Sequence, residues 1–326
     1  MKIIRAKVLG FCMGVRRAVD LALAEAAAAQ GTGHAVFTAG PLIHNPVVLK
    51  DLEARGVKIL DEADIKDLSG DVVIIRAHGI GPETEKELAG RGARIADATC
   101  PKVKASQMKA RALARAGYRI FLAGEEHHGE IAGLQGYIAA SCAEAALDGT
   151  AVAGDAPGRQ GIVAANAAEA EIKAEKLFSG APLSKTALIA QTTISPGEYE
   201  AIGEAIKKFF PDLEIVNTIC GATEDRQKAL RDLLENVDAI VVAGGRESSN
   251  TRRLLAIAQA SGKPAVLAET AADISCALTA ALPAEFKSYA AWGRLTIGLC
   301  AGASTPDDVI NSIETALKNL YITNRE

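Results

Sequence analysis

The feature that most constrains this chain is a unit of strand, cysteine and helix that occurs three times without close residue identity. In each copy an apolar, β-branched stretch leads into a cysteine, and a stretch of helical composition follows it. The three cysteines are Cys12, Cys100 and Cys220, a spacing that suits one per domain of ordinary size. The sequence therefore predicts three similar repeats, each with its cysteine at a strand-to-helix turn.

Composition and periodicity place the strands and helices of these repeats. The strands that lead into the cysteines are predicted at residues 2–8, 94–99 and 214–219. The helices that follow are predicted at residues 15–30 and 102–116, and from about residue 223 onward. Gly31 and Gly117 stand where the first two helices are expected to end.

Two further strands follow each helix, and each is expected to end in a short polar loop. The first strands end in the segments 35–45, 119–130 and 239–250, and the second strands end in 72–82, 187–196 and 295–306. Pro82, Pro196 and Pro306 close the second set of loops, at positions suited to the first residue of a helix. Strands that alternate with helices predict parallel sheets covered by helices, in a doubly wound α/β architecture.

The strand before Cys12 is the counterpart of the strands that end the first and second repeats, so we expect it to complete the sheet of the third. The predicted fold class is therefore three similar small α/β domains with parallel-type sheets. Their predicted bounds are residues 14–99, 100–216 and 217–326, with residues 1–13 completing the third domain. The extra length of the second repeat, around residues 149–161, predicts a surface loop.

Composition excludes several classes of protein. With 326 residues and 49% hydrophobic content the chain can form packed cores, but its apolar stretches fall short of the roughly 20 residues of a membrane helix. Its first residues lack the features of a secretory signal, which predicts a cytoplasmic protein without a membrane partner. A net charge of −4, 4% aromatic residues and no basic run argue against nucleic acid as a partner.

The repeated cysteines have a metal-binding and a structural interpretation. The positive end of a helix dipole favours the thiolate, which is the form that binds metal, and three thiolates suit a cubane cluster with one open iron. Each cysteine could instead be a buried structural thiol, since no C-x-x-C pair is present. Recurrence at equivalent turns favours metal binding. Cys142, Cys276 and Cys300 occupy no such turn, and a packing role is predicted for them.

The polar loops contain mostly neutral hydrogen-bonding groups. Because ligands bind at the carboxyl edges of open α/β sheets, these side chains are expected to face one cavity. Hydroxyls, amides, imidazoles and helix N-termini together suit a phosphate without lysine or arginine, so the predicted ligand is a diphosphate. The loop residues are His44, Asn45, His78, His128, Glu130, Thr192, Thr193, Ser248, Ser249, Asn250 and Ser304.

Glu130 is the candidate proton donor, because it is the carboxylate of these loops that lies beside a histidine pair. The alternative is a solvated loop glutamate. Ser249 or Asn250 could act as the N-cap of a following helix, a role compatible with ligand binding. His34 and His127 match no repeated position, and a solvated or structural role is predicted for both.

Short strings around these residues carry a family resemblance. They are GFCMGV at Cys12, PLIHNP at His44, RAHG at His78, DATCP at Cys100, HHGEIAG at Glu130, QTT from Gln191, ESSN from Glu247 and AGAS from Ala301. In this order, and over nearly the whole chain, they resemble the family of 4-hydroxy-3-methylbut-2-enyl diphosphate reductase, the last enzyme of the methylerythritol phosphate route to isoprenoids. The chain departs from the family pattern at Gly129, commonly proline, and at Met13, usually alanine, and its motif around Cys220 is a looser match.

The resemblance implies that the domains form a pseudo-threefold trefoil around a 4Fe-4S cluster held by Cys12, Cys100 and Cys220. Exposure to air can remove one iron from such a cluster and leave a 3Fe-4S remnant. The implied catalytic residues are Glu130, Thr192 and His128. Glu130 would feed protons, and Thr192 would lie beside the substrate hydroxyl. The residues implied to bind substrate are His44, His78, His128, Thr192, Ser248, Ser249, Asn250 and Ser304.

The implied reaction is the reductive dehydroxylation of 4-hydroxy-3-methylbut-2-enyl diphosphate to isopentenyl and dimethylallyl diphosphate, with the hydroxyl bound at the open iron. The chain has no GxGxxG fingerprint, so an external one-electron donor is expected, which by resemblance is ferredoxin or flavodoxin. A monomer or weak dimer is expected. Two alternatives stay open: a non-catalytic iron or redox sensor that uses the same thiolates, and a structural zinc protein.

Overall fold

The structure is a computed structural model that describes residues 1–61, 67–149, 161–178, 185–282 and 293–323. Almost all of the loop predicted at residues 149–161 lies outside the described residues, and so does the side chain of Cys276. Among the helices that are described, none combines the length and the apolar character needed to cross a bilayer.

The strands are short and rich in valine, isoleucine and alanine. The central ones are buried along all or nearly all of their length, as expected for parallel strands covered by helices on both faces. The strands are β1 (Lys2–Arg5), β2 (Val36–Thr38), β3 (Val57–Ile59), β4 (Val72–Ile75), β5 (Arg94–Asp97), β6 (Arg119–Ala123), β7 (Ile162–Ala164), β8 (Thr186–Ala190), β9 (Glu214–Val216), β10 (Ala239–Ala243), β11 (Ala265–Ala268) and β12 (Thr296–Ala301).

These strands form three parallel sheets of four strands each in the described part of the chain. Sheet 1 has the order β3-β2-β4-β5, sheet 2 the order β7-β6-β8-β9, and sheet 3 the order β11-β10-β12-β1. The strand that leads to a cysteine lies at the same edge of each sheet. β1 pairs in parallel with β12, with Lys2 opposite Thr296, which confirms that the N-terminal strand completes the third sheet. The predicted fold class of three similar α/β repeats with parallel sheets is likewise confirmed.

The strands at the opposite edges, β3, β7 and β11, were not predicted from the sequence. Each has only three or four residues, which is too short for a period-two pattern. Other strands are equally short, but they were marked by a repeated cysteine or a polar loop at their end, and these three are not. The predicted strands before the cysteines are also too long. The chain leaves the sheet after Arg5, Asp97 and Val216 and turns before it reaches each cysteine.

The three helices predicted after the cysteines begin within two residues of their predicted starts, and the first two end within one residue of their predicted ends. Gly31 and Gly117 follow their helices with φ of +77° and +76°, a backbone conformation that glycine adopts readily. Pro82 and Pro196 begin helices, whereas Pro306 lies one residue before its helix. The helices are α1 (Met13–Ala29), α2 (Pro46–Ala54), α3 (Pro82–Gly90), α4 (Pro101–Arg115), α5 (Gly129–Leu147), α6 (Ala167–Phe178), α7 (Pro196–Lys207), α8 (Gly221–Leu234), α9 (Ser249–Ala260), α10 (Asp273–Ala281) and α11 (Asp307–Thr323).

The chain divides into two compact units. The terminal unit comprises residues 1–16, 43–54 and 221–326 and contains sheet 3. The central unit comprises residues 17–42 and 55–220 and contains sheets 1 and 2. The three predicted domain boundaries stay a prediction.

Helices cover both faces of sheet 3 in the terminal unit. Leu278 of α10 and Ile313 of α11 pack against one face, while Leu230 of α8 and Leu254 of α9 pack against the other. In the central unit α4 and α5 cover one face of sheet 2, and α6 and α7 cover the other. This burial fixes the carboxyl ends of the strands, where the predicted site residues lie.

The start of α3 approaches α5 closely in the central unit. A Cβ atom at Gly136 of α5 would lie 2.8 Å from the Cα atom of Gly81, the residue before α3. The two backbones can meet only because neither residue carries a side chain.

We predict that Gly136→Ala lowers the midpoint of thermal unfolding. The added methyl group must push the two backbones apart, at a cost of about 1–3 kcal/mol for an overpacked site, of which the better helix propensity of alanine offsets at most about 1 kcal/mol. Gly197→Ala is the matched control, since Gly197 lies in the first turn of α7 with open space around it. Circular dichroism melts measure both variants, and an unchanged midpoint for Gly136→Ala would contradict the prediction.

Candidate functional site

Glu130 is buried at the carboxyl edge of sheet 2, in the first turn of α5, with 1% of its surface exposed. Thr192 binds both carboxylate oxygens: its backbone N–H donates to Oε1 at 2.8 Å and its hydroxyl donates to Oε2 at 2.8 Å. Burial raises the pKa of Glu130 to about 7, although both bonds from Thr192 act to lower it. The carboxyl can therefore hold or release a proton near neutral pH. The alternative of a solvated loop glutamate is wrong.

Thr192 also holds the turn at Cys220. Its carbonyl oxygen accepts a hydrogen bond of 2.9 Å from the backbone N–H of Cys220. The hydroxyl of Thr218 accepts from the N–H of Ala190 and donates to the same residue's carbonyl, which ties the segment before Cys220 to the end of β8. Cys220, Thr192 and Glu130 thus belong to one hydrogen-bonded group within the central unit.

His78, His128 and Cys100 lie at neighbouring strand ends of the central unit. The N–H of Cys100, the N-cap residue of α4, donates to the carbonyl of Ala77 at 3.0 Å, directly before His78. The rings of His78 and His128 meet edge to face, with centroids 5.1 Å apart. His128 is the N-cap of α5, and its Nδ1 accepts from the N–H of Glu130 at 3.2 Å. The imidazole of His128 is therefore anchored to the backbone of Glu130.

Gln191 is a supporting residue that sequence reasoning named only as the first letter of a motif. Its side chain is buried, its Oε1 accepts from the N–H of Glu125 at 2.9 Å, and its Nε2 donates to the hydroxyl of Thr193 at 2.7 Å. These bonds join the loop that carries His128 to the loop that carries Thr192. A glutamine between a buried strand and two threonines was the available signal for this role.

Gly129, where the family commonly has proline, has a packing explanation. A Cβ atom at Gly129 would lie 2.8 Å from Cζ of Arg76. The guanidinium of Arg76, which also donates from Nε to the carbonyl of Gly79 at 3.3 Å, occupies that space. Glycine therefore allows an arginine to pack against the start of α5, next to Glu130.

In the terminal unit the turn at Cys12 is held from two sides. The N–H of Cys12 donates to the carbonyl of Ala303 at 3.1 Å, just after β12. Arg226 of α8 is buried, and its guanidinium donates to the carbonyl of Gly10 at 2.6 Å and to that of Ala222 at 2.8 Å. Sequence reasoning missed Arg226, although the residue lies within the motif around Cys220.

The other predicted residues of the terminal unit lie around the ends of β10 and β12. The hydroxyl of Ser304 donates to the carbonyl of His44 at 3.2 Å, and a Cβ atom at Gly245 would lie only 2.4 Å from that carbonyl oxygen. Ser248, rather than Ser249 or Asn250, is the N-cap of α9, since its side chain accepts from the N–H of Thr251. Ser249 and Asn250 are instead the first two residues of the helix, where the backbone N–H groups have no acceptor within the helix itself.

Asn250 is the clearest candidate for a ligand contact in the terminal unit. It is 4% exposed, and among the described residues neither its Nδ2 nor its Oδ1 has a hydrogen-bond partner. A buried polar atom without a hydrogen-bond partner lowers the stability of the fold by about 1–3 kcal/mol, so such an atom usually has a functional role. An amide donor at the start of a helix suits an anion such as phosphate.

The described cysteines differ in burial. Cys12, Cys100 and Cys220 are partly exposed and in no disulfide, and their assignment as ligands of an iron-sulfur cluster stays a prediction. Cys142 and Cys300 lie in hydrophobic cores, and burial raises the pKa of Cys300 to about 12, which keeps it a neutral thiol. His34 and His127 are exposed, which agrees with the solvated role predicted for them.

Comparisons with known proteins agree along almost the whole chain. The family model described as LytB protein matches residues 3–318. A 4-hydroxy-3-methylbut-2-enyl diphosphate reductase of Treponema denticola is 41% identical, over 97% of this chain and 99% of its own. A protein of the same name from Solidesulfovibrio magneticus is 40% identical, over 98% of this chain and 100% of its own.

Two solved structures are also similar. The (E)-4-hydroxy-3-methyl-but-2-enyl diphosphate reductase described as the terminal enzyme of the non-mevalonate pathway has a TM-score of 0.63 at 33% identity, over 98% of this chain and 99% of that chain. The E-1-hydroxy-2-methyl-but-2-enyl-4-diphosphate reductase of Plasmodium falciparum has a TM-score of 0.75 at 24% identity, over 96% of this chain and 87% of that chain, which shows a shared fold. The extent of the family match and the identity to full-length relatives establish that this chain belongs to the LytB family, that of the 4-hydroxy-3-methylbut-2-enyl diphosphate reductases.

Proposed function

We propose that the chain removes the hydroxyl group of 4-hydroxy-3-methylbut-2-enyl diphosphate by reduction, giving isopentenyl diphosphate and dimethylallyl diphosphate. Each turnover consumes two electrons and two protons, breaks the carbon–oxygen bond and releases water. One proton leaves with the hydroxyl oxygen and the other is added to carbon. The site must therefore bind a diphosphate, supply protons and receive electrons.

The buried carboxyl of Glu130 is the observation that carries the proposal. A reductive dehydroxylation needs a proton at the leaving oxygen, and a carboxyl whose pKa is about 7 retains one near neutral pH. The hydroxyl of Thr192 is hydrogen-bonded to this carboxyl and is the group proposed to lie beside the substrate hydroxyl. The ring of His128 accepts a hydrogen bond from the backbone N–H of Glu130, so we propose that it positions this residue and contacts the substrate.

The diphosphate is proposed to bind the histidines and the first turn of α9. His44, His78 and His128 supply imidazoles, and the unpartnered amide of Asn250 suits a phosphate oxygen. Hydrogen bonds to a non-reacting diphosphate orient the allylic end, which lowers the entropic part of the barrier. The remaining proposed contacts are the side chains of Ser248, Ser249 and Ser304.

We propose Cys12, Cys100 and Cys220 as the ligands of a 4Fe-4S cluster, each supplied by the turn between an edge strand and a helix. When bound, such a cluster supplies single electrons and a Lewis-acidic iron for the leaving oxygen. The protein's part is to hold three thiolates, orient the substrate and deliver protons. Electrons are proposed to come from a separate cytoplasmic carrier such as ferredoxin or flavodoxin, and the chain to act as a monomer or weak dimer.

We predict that Glu130→Gln keeps the visible absorbance of the cluster yet lowers turnover about 100-fold or more, the usual share of a general acid. Glutamine keeps the shape of the side chain but has no proton to give. Glu126→Gln is the matched control, since Glu126 is an exposed neighbour. Anaerobic turnover with a chemical reductant measures both variants, and normal turnover in Glu130→Gln would rule out the proton-donor role.

We further predict that kcat falls as pH rises through about 7, because Glu130 loses its proton there. Thr192→Val removes the hydroxyl donor that lowers the pKa of Glu130, so the falling limb of the pH profile should move to higher pH. Profiles of wild type, Thr192→Val and Glu130→Gln separate this effect from a general loss of activity. A limb that stays in place in Thr192→Val would refute the assignment.

For the cluster, we predict that Cys220→Ser abolishes or strongly reduces iron content and visible absorbance after anaerobic purification. Cys142→Ala is the matched control, since Cys142 lies in a hydrophobic core and its loss should leave the cluster in place. The iron and zinc contents and the electron paramagnetic resonance spectra of both variants are measured. A colourless protein with stoichiometric zinc would favour a structural zinc site, and a cluster whose spectrum ignores added substrate would favour a sensor.

A further inference from the structure

The helix after Cys100 differs in charge from the helices after the other two cysteines. α1 carries two arginines, one aspartate and one glutamate, and α8 carries three residues of each sign. α4 has no carboxylate at all. Because the three helices follow equivalent strands, the positive charge of α4 is not a requirement of the fold. The cations of α4 are Lys102, Lys104, Lys109, Arg111 and Arg115.

Two of these cations also occupy electrostatically unfavourable positions in the helix. Lys102 and Lys104 lie in the first turn of α4, where the helix dipole repels positive charge. Lys104 is compensated by the hydroxyl of Tyr137 at 3.1 Å and by Asp97 at 3.4 Å. Lys102 is exposed and forms no ion pair within the described part of the chain. An anionic group from outside this helix would therefore stabilise the positive charge of Lys102.

One side of α4 is exposed to solvent and carries two lysines. Ala110 and Ala114 are buried against sheet 2, and Arg111 and Arg115 at the flank pair with carboxylates of α5. The opposite side spans about 120° of the helix circumference, at 100° per residue. We call it the α4 face, and its residues, all exposed, are Lys102, Ala105, Met108, Lys109 and Ala112.

The α4 face has the composition of a docking surface rather than of an ordinary solvated helix. Met108 is 38% exposed between two alanines, which leave its thioether accessible. Lys109, like Lys102, forms no ion pair with the described residues. An apolar centre with a charged rim is typical of protein interfaces, and methionine is enriched in them. A surface with free lysines and no carboxylate selects an acidic partner.

We propose that the α4 face is the docking surface for an acidic protein that carries one electron at a time. The inference rests on the proposed function, since a reduction that takes two electrons singly needs such a carrier twice per turnover. Each docking oxidises one reduced carrier by one electron. Cys100 is the N-cap of α4, and at 1.5 Å per residue Met108 lies about 12 Å along the helix from it. A carrier bound over the first turns of α4 therefore sits next to a proposed cluster ligand.

The test is the double variant Lys102→Glu with Lys109→Glu, examined as the cluster-loaded enzyme. Its affinity for oxidised ferredoxin, with flavodoxin as a second probe, is measured by calorimetry at low and high salt. We expect affinity to fall at least tenfold at low salt, and the salt dependence to weaken because fewer charge pairs are screened. Carrier-driven turnover should show a raised KM for the carrier. Turnover with dithionite and methyl viologen should stay within twofold of wild type.

The matched control reverses two exposed lysines elsewhere, Lys50→Glu on α2 with Lys176→Glu on α6, for the same change in net charge. It should keep the carrier affinity of wild type. Unchanged carrier affinity in the α4 variant would overturn the proposal. The proposal would also be overturned if dithionite-driven turnover of the α4 variant fell by the same factor as its carrier-driven turnover. The same holds if the variant lost binding to a short DNA duplex but kept its binding to the carrier. A wild type inactive with dithionite would refute the proposed function instead, while the binding isotherms would still decide the docking surface.

Discussion

The hydrogen bonds of Thr192 are the interaction on which the central site depends. One residue uses its carbonyl to hold the turn at Cys220 and its N–H and hydroxyl to hold the carboxyl of Glu130. Because all three groups are fixed by the end of β8, the proposed cluster ligand and the proposed proton donor cannot move independently. Burial of Glu130 then gives its carboxyl a proton affinity suited to neutral pH.

Much of the fold could be predicted because its repeats obey local rules. A strand that runs into a cysteine at a helix start recurs three times, and this alone placed β1 at the edge of sheet 3, more than 290 residues away along the chain. The helix ends at Gly31 and Gly117 follow from the freedom of glycine at positive φ. The outer strands β3, β7 and β11 escaped prediction, since three or four residues carry little periodicity and neither a repeated cysteine nor one of the polar loops marks their ends.

The sequence named candidate site residues but not the contacts that hold them. Sequence placed Glu130 beside two histidines, yet only packing shows that it is buried and that Thr192 binds it. Arg226 was missed because its role depends on a hydrogen bond to the carbonyl of Gly10, which lies 216 residues away along the chain. The charge of α4 was also missed: its cations are spaced along a helix rather than contiguous, so no basic run appears, and the net charge of −4 conceals them.

The pairing of the first strand with the last has a consequence for biosynthesis. β1 has no neighbour in its sheet until β12 has been made, and the N–H of Cys12 is held by the carbonyl of Ala303. Domains begin to fold while the ribosome is still working. Sheet 1 and sheet 2 can form during that time, whereas the turn at Cys12 must wait until Ala303 has been made. If Cys12, Cys100 and Cys220 hold one cluster, as proposed, its assembly on all three cysteines would wait for the same step.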